Sequence, residues 1–172
     1  MTCTSPDGNI TAELRAGEPR QLSFRPAAYE SYTESALAHQ LSRLGELLYV
    51  GHERAVRRVM DDVGLHRPTD PAEARDETQR RFLQELRKIS ATGKGPQGLV
   101  RFEVAGMASW HCEITTGTLH QLTEPEFVAE ATAAGRELLR ASRYEKALLK
   151  NEFYGARHAP PVKERIRRRA AG

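Results

Sequence analysis

The residues best suited to catalysis or metal binding lie close together in the second half of the chain. His111 and Glu113 flank Cys112 in the run WHCEI, and His120 follows. Side chains two positions apart share one face of a strand, so an imidazole and a carboxylate placed this way could hold a metal ion or exchange a proton. The spacing provides no third ligand, and a solvent-facing strand explains the pair more simply. We therefore expect no catalytic residue, no metal, no cofactor, and a protein that is not an enzyme.

Two other patterns resemble reactive sites but are better explained by structure. Cys3 and Cys112 are too far apart to indicate a disulfide framework or a zinc site. Cys112 shares its strand face with Trp110 and Ile114, which favours a buried thiol over a nucleophile. The glycine-rich segment 91–98 has a lysine but no following Ser or Thr, and we expect it to follow a helix and open a strand. A phosphate-binding loop requires the opposite order.

The C-terminal tail is the clearest electrostatic feature. The chain of 172 residues has a net charge of +3, but residues 157–172 alone carry +5 and the rest −2. Arginine binds phosphate through planar, bidentate donors, and a flexible basic end can follow a DNA backbone without reading bases. A solubilising terminus is the alternative. The predicted DNA contacts are the six basic residues of the tail: Arg157, Lys163, Arg165, Arg167, Arg168 and Arg169.

Composition narrows the class of protein further. With 39% hydrophobic and 28% charged residues, the chain matches ordinary globular proteins. The polar start MTCTSPDG and the absence of a long apolar run predict no leader, no membrane association and a cytoplasmic location.

Two stretches of the chain, 8–64 and 98–155, match at an offset of ninety residues. Alternating apolar residues predict two antiparallel strands in each stretch, at 9–15 and 21–25 and then at 100–104 and 110–114. A helix follows in each, from Thr33 to Gly64 and from the capping box at Thr123 to Gly155. We infer an internal duplication. The matched positions are Ile10, Ala12 and Leu14 with Val100, Phe102 and Val104; Leu22 and Phe24 with Cys112 and Ile114; and Gly45 with Gly135.

Two segments outside this pattern are less regular. Residues 27–32 could carry a third strand, which the pattern does not decide. Asp70 as a cap, followed by Pro71, predicts a helix from there to about Ala91, ended by the segment 92–96.

The order ββα, with Ser5-Pro6-Asp7-Gly8 before the first strand and Tyr29 before the helix segment 35–41, resembles the YbaB/EbfC family of nucleoid-associated proteins. The excess of Arg over Lys and the many Ala residues fit divergent members from high-GC actinobacteria. The resemblance implies an α+β fold of two ββ(β)α repeats, with antiparallel strands joined into one sheet, long helices and a pseudo-dimer within one chain. It also implies nonspecific DNA binding, a nucleoid location and no enzymatic activity, and it leaves a homodimer open.

The chain departs from the family pattern in having no room for a leading helix before Gly8 and no lysine-rich helix tips. We expect a first repeat at 1–66, a linking helix with the second repeat at 67–156, and a flexible tail at 157–172. The alternative function is a protein-binding adaptor that uses the sheet face or the long helices. Sequences related to the family also occur among accessory proteins of type VII secretion loci, which keeps a secretion-associated role open.

Overall fold

In a computed structural model the chain is described at residues 1–65, 68–106 and 109–155. These residues form an α+β fold with two three-stranded antiparallel sheets and two long helices. In chain order the elements are β1 (Thr2–Thr4), β2 (Ile10–Arg15), β3 (Glu18–Phe24), α1 (Glu34–Asp62), α2 (Glu77–Leu86), β4 (Ser90–Lys94), β5 (Val100–Ala105), β6 (Ser109–Ile114), α3 (Thr118–Gln121) and α4 (Glu124–Tyr154).

The two sheets have the same strand order and nearly the same register. Ile10 pairs with Phe24 in the first sheet, and Val100 pairs with Ile114, ninety residues later, in the second. The edge strands β1 and β4 also match, because Cys3 lies opposite Ala12 and Gly93 opposite Phe102. The registers differ where a bulge after Glu13 shifts β3 by one residue. As a result, Pro19 lies opposite Leu14 in the first sheet, at the place where Trp110 lies opposite Val104 in the second.

The helix boundaries agree closely with the sequence pattern. Thr33 and Thr123 are the N-caps of α1 and α4, and the capping box of Thr123 with Glu126 is present. Gly64, just beyond the end of α1, has a φ of +71°, a backbone conformation that glycine adopts without strain.

The third strand of each sheet precedes the predicted pair. The segment 27–32 contains a short 3-10 turn at Tyr29–Ser31, while β1 and β4 supply the third strands. The predicted helix from Asp70 to Ala91 was therefore wrong at both ends. Asp70 caps a 3-10 turn at Pro71–Glu73, α2 begins after Asp76, and β4 starts at Ser90.

Close packing explains why residues 90–94 form a strand. Ala91 and Gly93 face inward beneath α4, and a Cβ on Gly93 would lie 2.2 Å from the backbone nitrogen of Leu138. The small side chains let α4 approach the sheet, and the ladder to β5 supplies the backbone hydrogen bonds that a helix would otherwise provide.

The expectation of one joined sheet was also wrong, because each long helix covers an edge strand of the sheet from the other half. On β6, the backbone N–H of Cys112 donates to the Ser42 hydroxyl of α1 at 2.8 Å. On β3, the carbonyl of Pro19 accepts from Arg136 of α4 at 3.4 Å. Helix side chains thus occupy edges that would otherwise be open to strand pairing.

The two halves share one apolar core. The largest fully buried side chains come from both sheets, both long helices and α3: Ile10, Leu37, Leu44, Val100, Thr118, Phe127 and Leu138. The buried Tyr29 donates its hydroxyl to the carbonyl of Leu122 at 2.9 Å, across the two halves. Within the described residues, no helix combines the length and apolar character needed to cross a membrane.

Candidate nucleic-acid interface

The six predicted DNA contacts, Arg157, Lys163, Arg165, Arg167, Arg168 and Arg169, lie outside the described residues. The last described element before them is α4, which ends at Tyr154 and is followed by Gly155. The surface of this helix is therefore the described part of the chain from which the tail continues.

One face of α4 is basic. Arg136, Arg140, Arg143 and Lys150 are separated by four, three and seven residues, which places them along one side of a helix. Lys146 borders the same side. These spacings of three and four residues are the signal by which the basic face could have been found from the sequence. The sequence-based prediction named only residues of the tail and missed this face.

The N-terminal part of the basic face contacts the start of β3 and the turn before it. Arg143 pairs with Glu18 and donates to the carbonyl of Gly17 at 2.9 Å. Arg136 donates to the carbonyl of Pro19, two residues further along. These two guanidinium groups satisfy backbone acceptors at the strand edge, so their first role is structural.

The C-terminal part of the basic face, around Lys146 and Lys150, borders a cleft of about 340 Å³ between α1, α2 and α4. Lys146, Lys150 and Arg87 contribute positive charge to its lining. The aromatic residues are Tyr49, Phe82 and Tyr154; the Phe82 ring meets that of Tyr154 edge-on, with centroids 5.3 Å apart. Cationic groups beside aromatic rings can bind phosphate and stack on bases.

Salt bridges reduce the charge available in the cleft. Arg87 donates to Asp70 at 3.0 Å, with both side chains about half exposed. On α2, Arg80 pairs with Glu77, and Lys88, two residues beyond the helix, pairs with Glu85. The basic residues of α2 are thus largely balanced by their neighbours. In α4 an excess of positive charge is found only after residue 135, where five Lys or Arg stand against three Glu.

The charge of the whole chain is divided at the middle of α4. Residues 136–172 contain eleven Lys or Arg against four acidic residues, a net of +7. Residues 1–135 contain fifteen against nineteen, a net of −4. A polyanion would therefore meet attraction at the C-terminal end of the chain and weak repulsion elsewhere.

His111 and Glu113 are exposed residues of β6. Both lie on the exposed face of β6, where His111 opposes Glu103 and Glu113 lies 3.7 Å from Arg101. His120 belongs to α3. Throughout the described ranges, no group of three or more His, Cys, Asp or Glu is arranged to hold a metal ion. His111 and Glu113 line one wall of an open groove between β6 and α1.

Cys112 is buried, as the sequence predicted. Its backbone is held by Ser42, its side chain is 3% exposed, and burial raises the pKa of the thiol well above its usual range. A neutral thiol in an apolar core is a poor nucleophile.

No family model, curated protein or solved structure matches this chain.

Proposed function

We propose that this protein binds DNA through the phosphate backbone, with little base specificity, using the outer part of α4 and the basic tail. The observation that carries the proposal is the charge division within α4, with +7 on residues 136–172 and −4 on the rest. Separated charge of this kind orients a chain on a polyanion, because only one end is attracted.

The tail residues are the principal contacts in this proposal. Arg165, Arg167, Arg168 and Arg169 supply planar donors that match phosphate, with Arg157 and Lys163 assisting. Arg140 and Lys150 extend the same surface along α4. A short contact of this size releases few counterions, so we expect weak binding at physiological salt.

The proposal includes a tandem arrangement like a YbaB/EbfC dimer contained in one chain. The two sheets share their register from Ile10 to Glu13 and from Val100 to Glu103, and the N-caps Thr33 and Thr123 also lie ninety residues apart; both observations support a duplication. Family members present two copies of each element by dimerisation, whereas this chain would carry both copies itself. A nucleoid location follows if DNA is the partner.

Fluorescence anisotropy with a labelled random duplex tests the proposal. Affinity should fall steeply between about 50 and 200 mM salt, and a chain ending at Gly155 should bind much more weakly. In the full chain, Arg140→Gln with Lys150→Gln should weaken binding and lower the salt slope. The matched control, Arg54→Gln with Arg58→Gln, removes two exposed charges from α1 and should leave the slope unchanged. Equal binding by the truncated and full chains would exclude the tail.

A second candidate is a protein-binding adaptor, which the outer end of α1 favours. Val59, Val63 and Leu65 are 63%, 63% and 60% exposed, so apolar side chains cluster where a helix leaves the core. A partner that covers this end would bind by burying them. Retention of a specific partner without DNA, lost in Val59→Ser with Val63→Ser but kept in the tail truncation, would favour this function.

A further inference from the structure

A partly open apolar cavity of about 130 Å³ lies between the two halves of the molecule, where β2 and β3 meet the two long helices and the rings of Phe102 and Trp110. Its walls are formed mainly by carbon atoms of Leu14, Leu22, Leu41 and Leu139, and polar residues such as His52 stand at its margin. The lining of the cavity is apolar, unlike the neighbouring basic face of α4, so the cavity requires a separate explanation.

Differences between the two halves explain why the cavity exists. Ala12 and Phe102 occupy matching positions, opposite Leu22 and Cys112 respectively. The phenyl ring of Phe102 forms part of the cavity wall. Only a methyl group projects from Ala12, which also lines the cavity, and the volume that a second ring would fill stays open.

A second pair of matching positions also has an aromatic ring in the second half and a smaller side chain in the first. Trp110 packs its indole against Gly45 of α1, whereas Pro19 meets Gly135 of α4 only at 3.9 Å from the position of a Cβ. Gly45 and Gly135 are ninety residues apart. An aromatic ring in one half thus corresponds to a smaller side chain in the other at two separate places, and the two rings and the two smaller side chains all line the cavity.

The size and chemistry of the cavity define what it can bind. A protein cavity of about 150 Å³ lined by aliphatic and aromatic side chains stays dry and binds benzene or xenon. This cavity is close to that size and is lined by the same kind of atoms. We propose that it is a binding site for a compact, uncharged hydrophobic molecule, of the size of benzene or a branched alkyl group.

Benzene is the probe for the test, applied to the full chain. At a concentration ten times its Kd, benzene should raise the thermal midpoint by roughly 3–6 °C. The ¹³C methyl signals of Leu22 and Leu139 should shift, and those of the exposed Leu148 should not. No response in the wild-type protein would overturn the proposal.

Two matched variants test whether benzene binds in this cavity or elsewhere. Ala12→Phe restores the ring present at Phe102 and should abolish both responses to benzene. Ala55→Leu, at an exposed position on α1, should respond like the wild type. If Ala12→Phe does not fold, Ala12→Leu should bind benzene with reduced affinity. Binding that survives intact in a folded Ala12 variant would show that benzene occupies another place, and the proposal would fail.

Discussion

Trp110 lies directly against Gly45, so close that a Cβ on this glycine would come within 2.6 Å of the indole Cε3. The contact joins β6 of the second half to α1 of the first, and only glycine at position 45 permits it. The matching glycine of α4, Gly135, meets Pro19 at an ordinary distance of 3.9 Å.

This difference predicts opposite effects of the same substitution. Gly135→Ala should stabilise the protein by up to about 1 kcal/mol through helix propensity. Gly45→Ala should gain the same propensity but displace Trp110, at a cost of about 1–3 kcal/mol, and should be the less stable variant. Urea unfolding of both variants measures the difference. A Gly45→Ala protein as stable as Gly135→Ala would mean that the indole moves freely.

Glu130 supports the loop between β4 and β5. Its carboxylate, 2% exposed, accepts hydrogen bonds from the backbone N–H groups of Gln97 and Leu99 at 3.1 and 3.0 Å. Glu130→Ala leaves these donors without their acceptor and should cost about 2–4 kcal/mol. Glu130→Gln keeps an acceptor and should cost less.

Glu137 is the matched control for Glu130. It accepts from the backbone N–H of Lys94 at 2.7 Å but is exposed, so water can replace it. Glu137→Ala should lower the free energy of unfolding by less than about 1 kcal/mol. Similar losses of unfolding free energy in Glu130→Ala and Glu137→Ala would show that burial of the carboxylate does not increase its contribution to stability.

The two cysteines should differ in reactivity. Cys112 is buried and its thiol has a raised pKa, whereas Cys3 is partly exposed. A thiol reagent at pH 8 should label Cys3 in the folded protein and Cys112 only after denaturation. Mass spectrometry of the labelled peptides distinguishes the sites. Rapid labelling of Cys112 in the native state would indicate that β6 opens locally.

Tyr29 should make stability fall in alkaline solution. Burial, followed by the negative charge of Glu34 and other nearby carboxylates, raises the pKa of Tyr29 from 10.0 to about 12. Because the folded state favours the neutral phenol, this contribution is complete below pH 10 and is lost as pH rises from 10 towards 12.

Tyr29→Phe separates this effect from other alkaline transitions. The variant lacks the hydrogen bond to Leu122 and should be about 1 kcal/mol less stable at neutral pH. Between pH 10 and 12 it should lose less stability than the wild type, although Tyr32, whose pKa is also raised to about 12, still titrates. Parallel losses in both proteins would exclude Tyr29 as the cause.

Local patterns predicted much of the fold. The strand alternation that includes Ile10 and the caps Thr33 and Thr123 placed β2, α1 and α4 within one or two residues of their observed starts. These signals depend on neighbouring residues alone. The general α+β class could therefore be predicted from the sequence.

Features set by distant contacts could not be predicted in this way. The strand β4 contains small and polar residues without apolar alternation, and it depends on β5 beside it and α4 above it. The sequence likewise does not state that Arg136 and Arg143 would meet the edge of β3, since those contacts span more than a hundred residues. The tail charges could be read directly from the sequence.

The covering of β6 by α1 has a consequence for protein synthesis. The Ser42 hydroxyl and Gly45 reach their partners only after Cys112 and Trp110 have left the ribosome, about seventy residues later. Until then the apolar stripe of α1 has only the first sheet to pack on. A nascent chain that pauses in this interval would expose the stripe, and it is there that a holding chaperone would be expected to act.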